Sequence, residues 1–277
     1  MTATVTIPTM ELSRAPISME DVGACVLVHG PTSAGKTMSS LTMPQPILHI
    51  NKEPKDPKTV HGVGHNVDIT YGYPKNYDEI MSYLNQLIIR YEKGERPFAG
   101  IFHDGLTFSN AMYKQAVEDD RYIARTLSKN DLPRPGMTDK YKPERPDWGT
   151  IASMMARETS LLNRLSQFGV VVVSTAISTE YPKWNQGIRM APTLIGQEFP
   201  KLVHGYFDYI GYIIQPYRRD PQGNPIVPRI SFVPREDDMG GMSYMARNSC
   251  TAIDIAEACG QYAPLNWTKI LRVIRGK

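Results

Sequence analysis

Cysteine is scarce in this chain of 277 residues: there are three, Cys25, Cys250 and Cys259. They are widely spaced, odd in number and include no C-x-x-C pair, which excludes a disulfide framework and a cysteine-built zinc site. The expectation is ordinary reduced thiols in a cytosolic protein. Long apolar runs are missing too. No segment approaches the roughly 20 apolar residues that a bilayer-spanning helix needs, and the opening MTATVTIPTMELSRAPISMEDV has no apolar core of signal-peptide length. The chain is therefore expected to be neither exported nor inserted, with a cytoplasmic location and no membrane partner. Nor is one sign of charge in excess. The 31 Lys and Arg against 28 Asp and Glu leave +3, the balance of a globular protein and not of a polybasic coat or an acidic tail. The length allows one large α/β domain with a substantial core.

What is present is the stretch GPTSAGKT at residues 30–37, behind the apolar run ACVLVH. It fits G-x-x-x-x-G-K-[ST], and each fixed position has a mechanical reason. Gly30 and Gly35 let the backbone, through Pro31, Thr32, Ser33 and Ala34, wrap closely enough for its N–H groups to face phosphate oxygens. Lys36 reaches the β- and γ-phosphates, and Thr37 offers a hydroxyl to Mg²⁺. The four fixed positions arise by chance in a chain this long on the order of once in a hundred. A buried strand before the loop and a helix-compatible TMSSLTM after it supply the surroundings the motif requires. ATP and Mg²⁺ are the cofactors this predicts.

Further along, PILHIN reads as a strand, and Glu53 sits just past it, where ligands bind in open parallel sheets. Glu53 is either the general base that orients an attacking water or an exposed loop carboxylate. VDITYGY is a strand and YDEIMSYLNQLIIRYEKG a crossover helix, with Ile80, Leu84, Leu87 and Ile88 at helical spacing. PFAGIFHDG closes an apolar run on Asp104, placed to hold the water shell of Mg²⁺ with Thr37, to cap the following helix, or to do both. His103 has no partner histidine at metal-site spacing and reads as a packed or hydrogen-bonded residue. Residues 121–147 carry seven basic residues against four acids, with four prolines, and are expected to be mostly irregular. Arg134, Lys140, Lys142 and Arg145 are candidate contacts to single-stranded DNA, the alternative being a solvated loop. Asp147 is expected to cap the helix WGTIASMMARETSLLNRLSQFG, and GVVVVSTAIST to be a fully buried parallel strand. Ser174 and Thr175 at its polar end face either the reacting water or the strand terminus. A second irregular stretch, 180–196, adds Lys183, Trp184 and Arg189 as DNA candidates. YIGYIIQPYRR, PRISFVPRE and SYMARNS read as antiparallel strands on the sheet edge, and NWTKILRVIRGK as a short helix in a basic tail.

This order of parts resembles the RecA-like core, and within it the phage-encoded nucleotide-binding recombination proteins related to single-strand annealing proteins. The resemblance runs from about Val22 to about Asn248 and divides the chain into an N-terminal extension (1–21), an ATP-binding domain (22–250) and a C-terminal basic tail (251–277). It implies an α/β RecA-like fold with a mostly parallel central sheet flanked by helices and antiparallel strands at the C-terminal edge. It implies an ATPase, catalytic through Lys36, Glu53 and Asp104, that acts on single-stranded DNA in recombination or replication. It further implies a homo-oligomeric ring or filament, a single-strand-binding protein as companion, and the host cytoplasm as location. A late cation that reaches the neighbouring subunit's nucleotide corresponds to Arg247, with Ser249 where a second basic residue stands in the family. A P-loop kinase using the basic loop as a lid, and an assembly protein that binds ATP with little turnover, are the other two readings.

Overall fold

The apolar runs ACVLVHG and VVVSTAISTEYP become neighbouring strands, β1 (Ala24–Gly30) and β5 (Val171–Pro182), at the centre of a mixed sheet. The computed structural model describes residues 23–55, 60, 66–129, 143–182, 187–196, 198–223, 225–234, 242–248 and 263–275, with the backbone alone at 121–129, 225 and 263. The other strands flanking this centre are β2 (Ile47–Asn51), β3 (Ile69–Gly72), β4 (Gly100–Asp104) and β7 (Tyr209–Gln215). β10 (Arg229–Ser231) and β13 (Ala263–Pro264) extend the far edge, in the order β13-β10-β7-β1-β5-β4-β2-β3. From β7 to β3 every pairing is parallel, so the carboxyl ends of these strands share one edge. The protein is thus α/β, with a mostly parallel mixed sheet flanked by helices.

Both faces of the central strands are covered, which is why they lack polar alternation. Cys25 and Leu27 of β1 point to a core shared with α1 (Tyr77–Glu92), α2 (Leu106–Lys129) and α3 (Arg145–Ser166). Ala24, Val26 and Val28 point to the opposite core, closed by Trp267, Ile270, Leu271 and Ile274. These four belong to a helix over Trp267–Ile274, α5, which follows the short α4 (Glu198–Leu202) and whose apolar stripe is buried while Lys269 and Arg272 face water. The tail's helix is therefore built into the core, and Asn266 caps it by accepting from the Lys269 N–H at 3.1 Å.

Several elements differ from expectation. The segment after the P-loop forms only a short 3₁₀ helix, Thr37–Thr42. It is steadied from α5, where the Trp267 N–H donates to Thr42 Oγ1 at 2.9 Å and the indole Nε1–H to Ser39 Oγ at 3.1 Å. α2 runs to Lys129, so the first third of the basic segment is helical. Asp147 is not the cap of α3. It stands three residues inside, its carboxylate accepting from the Glu144 N–H at 2.8 Å, because Pro146 is tolerated in the first helical turn and lets the helix begin earlier. The 180–196 stretch is not irregular throughout: β5 continues to Pro182 and pairs antiparallel with β6 (Ile188–Pro192). β7 is parallel to β1, not antiparallel. Two short strands come from SYMARNS and its preceding residue: β11 (Met242–Tyr244) lies parallel to β6, and β12 (Arg247–Asn248) antiparallel to β7. A two-stranded arm, β8 (Arg218–Arg219) with β9 (Pro225–Ile226), stands apart from the main sheet. Among the described residues no helix is long and apolar enough to cross a membrane.

Candidate functional site

The loop after β1 leaves the sheet at its carboxyl edge. Ser33 has φ +61° and Gly35 φ +91°. A side chain at Ser33 tolerates that region at a cost, and such outliers cluster where ligands bind. Gly35 in a left-handed conformation followed by Lys36 in a right-handed one aims successive N–H groups into a common concavity, the form of an anion nest. Lys36 is 7% exposed, and its ammonium donates to the carbonyls of Gly30 at 3.0 Å and Pro31 at 2.8 Å. Burial lowers its pKa, opposed by the charges of Asp104 and Glu53. The cation is thereby held by loop carbonyls, and among the described residues no carboxylate pairs with it directly.

Asp104 ends β4 and is almost fully buried. Its Oδ2 accepts from Thr37 Oγ1 at 2.8 Å and its Oδ1 from Thr175 Oγ1 at 2.5 Å. Thr175 in turn accepts from the Gly105 N–H at 3.0 Å, so its proton is committed to Asp104. His49 Nε2 stands 3.5 Å from Asp104 Oδ2, too long for a good hydrogen bond and close enough for a charge contact. Burial alone would raise the Asp104 pKa; His49 and the hydroxyls of Thr175 and Thr37 hold it below the ordinary carboxylate value. Asp104 is therefore an anion, and its carboxylate is bonded to the threonine that ends the P-loop motif. Glu53 lies beyond β2, half-buried, its N–H held by Asn51 Oδ1 at 3.1 Å. Burial and then the charge of Asp104 raise its pKa, against the opposing pull of Lys36. A carboxylate moved upward toward neutral pH is a better proton acceptor than an ordinary one.

The oxygen donors suit a hard cation. Mg²⁺ takes one or two protein oxygens and completes its shell with water and phosphate. Thr37 and Asp104 supply such a pair at the mouth of an N–H nest. Among the described residues no three His, Cys, Asp or Glu converge into a cage of their own.

Behind this edge lies a buried polar cluster that composition gave no reason to expect. Glu158 of α3 accepts from the Lys52 ammonium, from His103 Nε2 at 2.9 Å and from the Tyr113 hydroxyl at 2.7 Å. Lys52 also donates to Ser109 Oγ at 2.9 Å. Burial would raise the Glu158 pKa, but Lys52 and His103 hold it far below the usual range; burial lowers those of Lys52 and His103. His103 is thus a hydrogen-bonded core residue, as its sequence context indicates. The Lys52 N–H donates to the Asp104 carbonyl at 3.0 Å, which ties the cluster to both acidic strand ends.

The remaining sequence candidates scatter. Arg145 is exposed in the first turn of α3, and Arg189 is exposed on β6. Arg189 borders a cleft of about 520 Å³ with Tyr181, Leu194 and Met245. That cleft is lined by none of the residues from Gly30 to Thr37 nor by Glu53 or Asp104, so the chemistry of the loop, not cleft size, locates the candidate nucleotide site. Arg134, Lys140, Lys142, Lys183 and Trp184 lie outside the described residues. Arg247 is exposed and donates to the His204 carbonyl. Paired opposite Ile210, which is level with Leu27, it sits about 10 Å along the strand direction from Gly30 and not at its own chain's cup. Ser174 is buried, and among the described residues its hydroxyl has no hydrogen-bond partner. Residues that sequence inspection missed are His49, Lys52 and Glu158; each is a lone polar residue in an apolar or charged context, with no spacing signal. No protein-family model matches the chain, and no curated protein matches it either.

Proposed function

We propose that this protein is a RecA-like ATPase that binds ATP with Mg²⁺ at the P-loop and couples its hydrolysis to single-stranded DNA. The observation that carries the nucleotide part is the hydrogen bond from Thr37 of the P-loop to Asp104, at the mouth of the Lys36 nest with Glu53 beside it. Bound Mg²⁺ would offset charge on the β- and γ-phosphates. Lys36 and the loop N–H groups would orient the phosphates, Thr37 and Asp104 would hold the cation's shell, and Glu53 would accept the proton of the attacking water. The RecA-like order is supported by β5, the valine-rich strand after the long helix, inserted between the P-loop strand and the Asp104 strand.

The DNA part rests on placement. β5 runs level with Gly30 at Ile177 and then continues for five residues to Pro182, paired with β6, so the paired strands of this hairpin extend past the nucleotide edge. His29, next to the loop, bonds Ser178 Oγ at 2.9 Å and the Met245 carbonyl at 2.7 Å. The carbonyl only accepts, so Nε2 carries the proton and Nδ1 accepts from Ser178. This links the P-loop to the hairpin that bears Arg189.

ATP turnover measured with and without single-stranded oligonucleotide tests the proposal, with Lys36→Ala as control. DNA-stimulated turnover abolished by Lys36→Ala is expected. A phosphorylated acceptor would establish the kinase reading instead, and low turnover indifferent to DNA the assembly reading. Turnover unchanged in folded Lys36→Ala would refute the site itself.

A further inference from the structure

The P-loop has a direction. Thr37, Asp104 and Glu53 gather on the β5–β4–β2 side of β1, so the metal and γ-phosphate end of a nucleotide faces that way. The α-phosphate and nucleoside must then leave toward the opposite side, over β7 and β10. β7 is parallel to β1 and ends at the same sheet edge, and the chain returns in antiparallel β10. Between them, residues 216–223 and 225–228 belong to the arm that carries β8 and β9.

This arm is seated on the P-loop. The Tyr217 N–H donates to the Ala34 carbonyl at 3.3 Å. A Cβ built on Gly35 would lie 2.8 Å from Pro228 Cγ and 3.4 Å from Tyr217 Cβ. The loop glycine is thus hemmed in from the β7 side by the two ends of the arm. Yet Tyr217 keeps 42% of its surface exposed. A tyrosine whose backbone is pinned to the loop while its ring stays open to solvent is a preformed platform, ordered before a ligand arrives. Its phenol face suits a planar aromatic base, and stacking of this kind accepts any base because every base has a π-face.

Resting on the nucleotide reading above, we infer that Tyr217, which together with Pro228 flanks Gly35, is the nucleoside platform of the P-loop, stacking on the base of a nucleoside triphosphate. The phosphates are held by the cup, and the base is held by its face from the arm.

Binding of ATP and of inorganic tripolyphosphate, each with Mg²⁺, to the full chain by calorimetry separates the two ends of the ligand. Tyr217→Ala is expected to weaken ATP roughly tenfold or more and leave tripolyphosphate unchanged, while Tyr217→Phe, which keeps the ring, retains wild-type ATP affinity. Equal weakening of both ligands by Tyr217→Ala would show that the arm only props the loop and would overturn the platform. So would unchanged ATP binding in Tyr217→Ala, or a wild-type protein that binds tripolyphosphate as tightly as ATP. If the wild-type chain binds neither ligand, the nucleotide site falls, and the platform with it.

Discussion

Replacing Glu158 by glutamine tests whether the cluster behind the acidic strand ends is held by charge. Glu158 is fully buried and Lys52 is 6% exposed. The carboxylate accepts from Lys52, His103 and Tyr113, and the lysine has no other anion in contact among the described residues. Glu158→Gln keeps the shape and an acceptor oxygen but leaves a buried ammonium uncompensated, which costs about 3–5 kcal/mol. Against a typical stability of about 5–15 kcal/mol that is a large fraction. Adding Lys52→Met removes the stranded charge. The double variant then loses mainly hydrogen bonds, at about 1 kcal/mol each, and is expected to be more stable than the single variant although more contacts are gone. Urea denaturation at pH 7, followed by the fluorescence of buried Trp267, reads both midpoints. A Glu158→Gln loss below about 1 kcal/mol, or a double variant as unstable as the sum of the two single losses, would refute the ion-pair account.

Three further outcomes follow from the site. Asp104→Asn should weaken Mg²⁺-dependent ATP binding, because the anion opposite Thr37 is gone, whereas Glu53→Gln should bind nearly normally and turn over slowly; equilibrium binding beside single-turnover kinetics separates the two, and wild-type hydrolysis by Glu53→Gln would return Glu53 to an ordinary loop carboxylate. The rate of the chemical step should rise with pH through a group titrating above the usual carboxylate range, since burial and Asp104 raise Glu53, and Glu53→Gln should erase that limb. His29 is neutral in the fold, its pKa lowered by burial from 6.5 to about 4. Between those values the unfolded chain takes up a proton that the folded chain excludes, so this stability is full above about 6.5 and is lost as pH falls toward about 4. The loss is about 3 kcal/mol in all, of which about 2 kcal/mol falls between pH 7.5 and 5, and the difference in stability between those two pH values should shrink by about 2 kcal/mol in His29→Gln.

Sequence alone determined the features that depend on near neighbours. The eight residues of GPTSAGKT specify their own turn, because the glycines and the lysine act within one loop. Continuous apolar runs announced β1, β4 and β5, and helical spacing announced α1 with its buried Ile80, Leu84, Leu87 and Ile88. Asp104 and Glu53 were legible as strand-end carboxylates because a strand ending in a polar loop is a local pattern. The tertiary structure alone decided which ends meet. Thr175 binds Asp104 across 71 residues and Lys52 binds Glu158 across 106, and no periodicity encodes such pairs. The parallel setting of β7 was likewise invisible, since YIGYIIQ reads as a strand whichever way its neighbour runs. α5 closes a core face beside a 3₁₀ helix too short to cover it, and Tyr217 and Pro228 of the β8–β9 arm settle on Gly35. Strand order places these segments together after hundreds of residues of chain have folded between them, and burial then makes each polar group find its partner or bear the cost of lacking one.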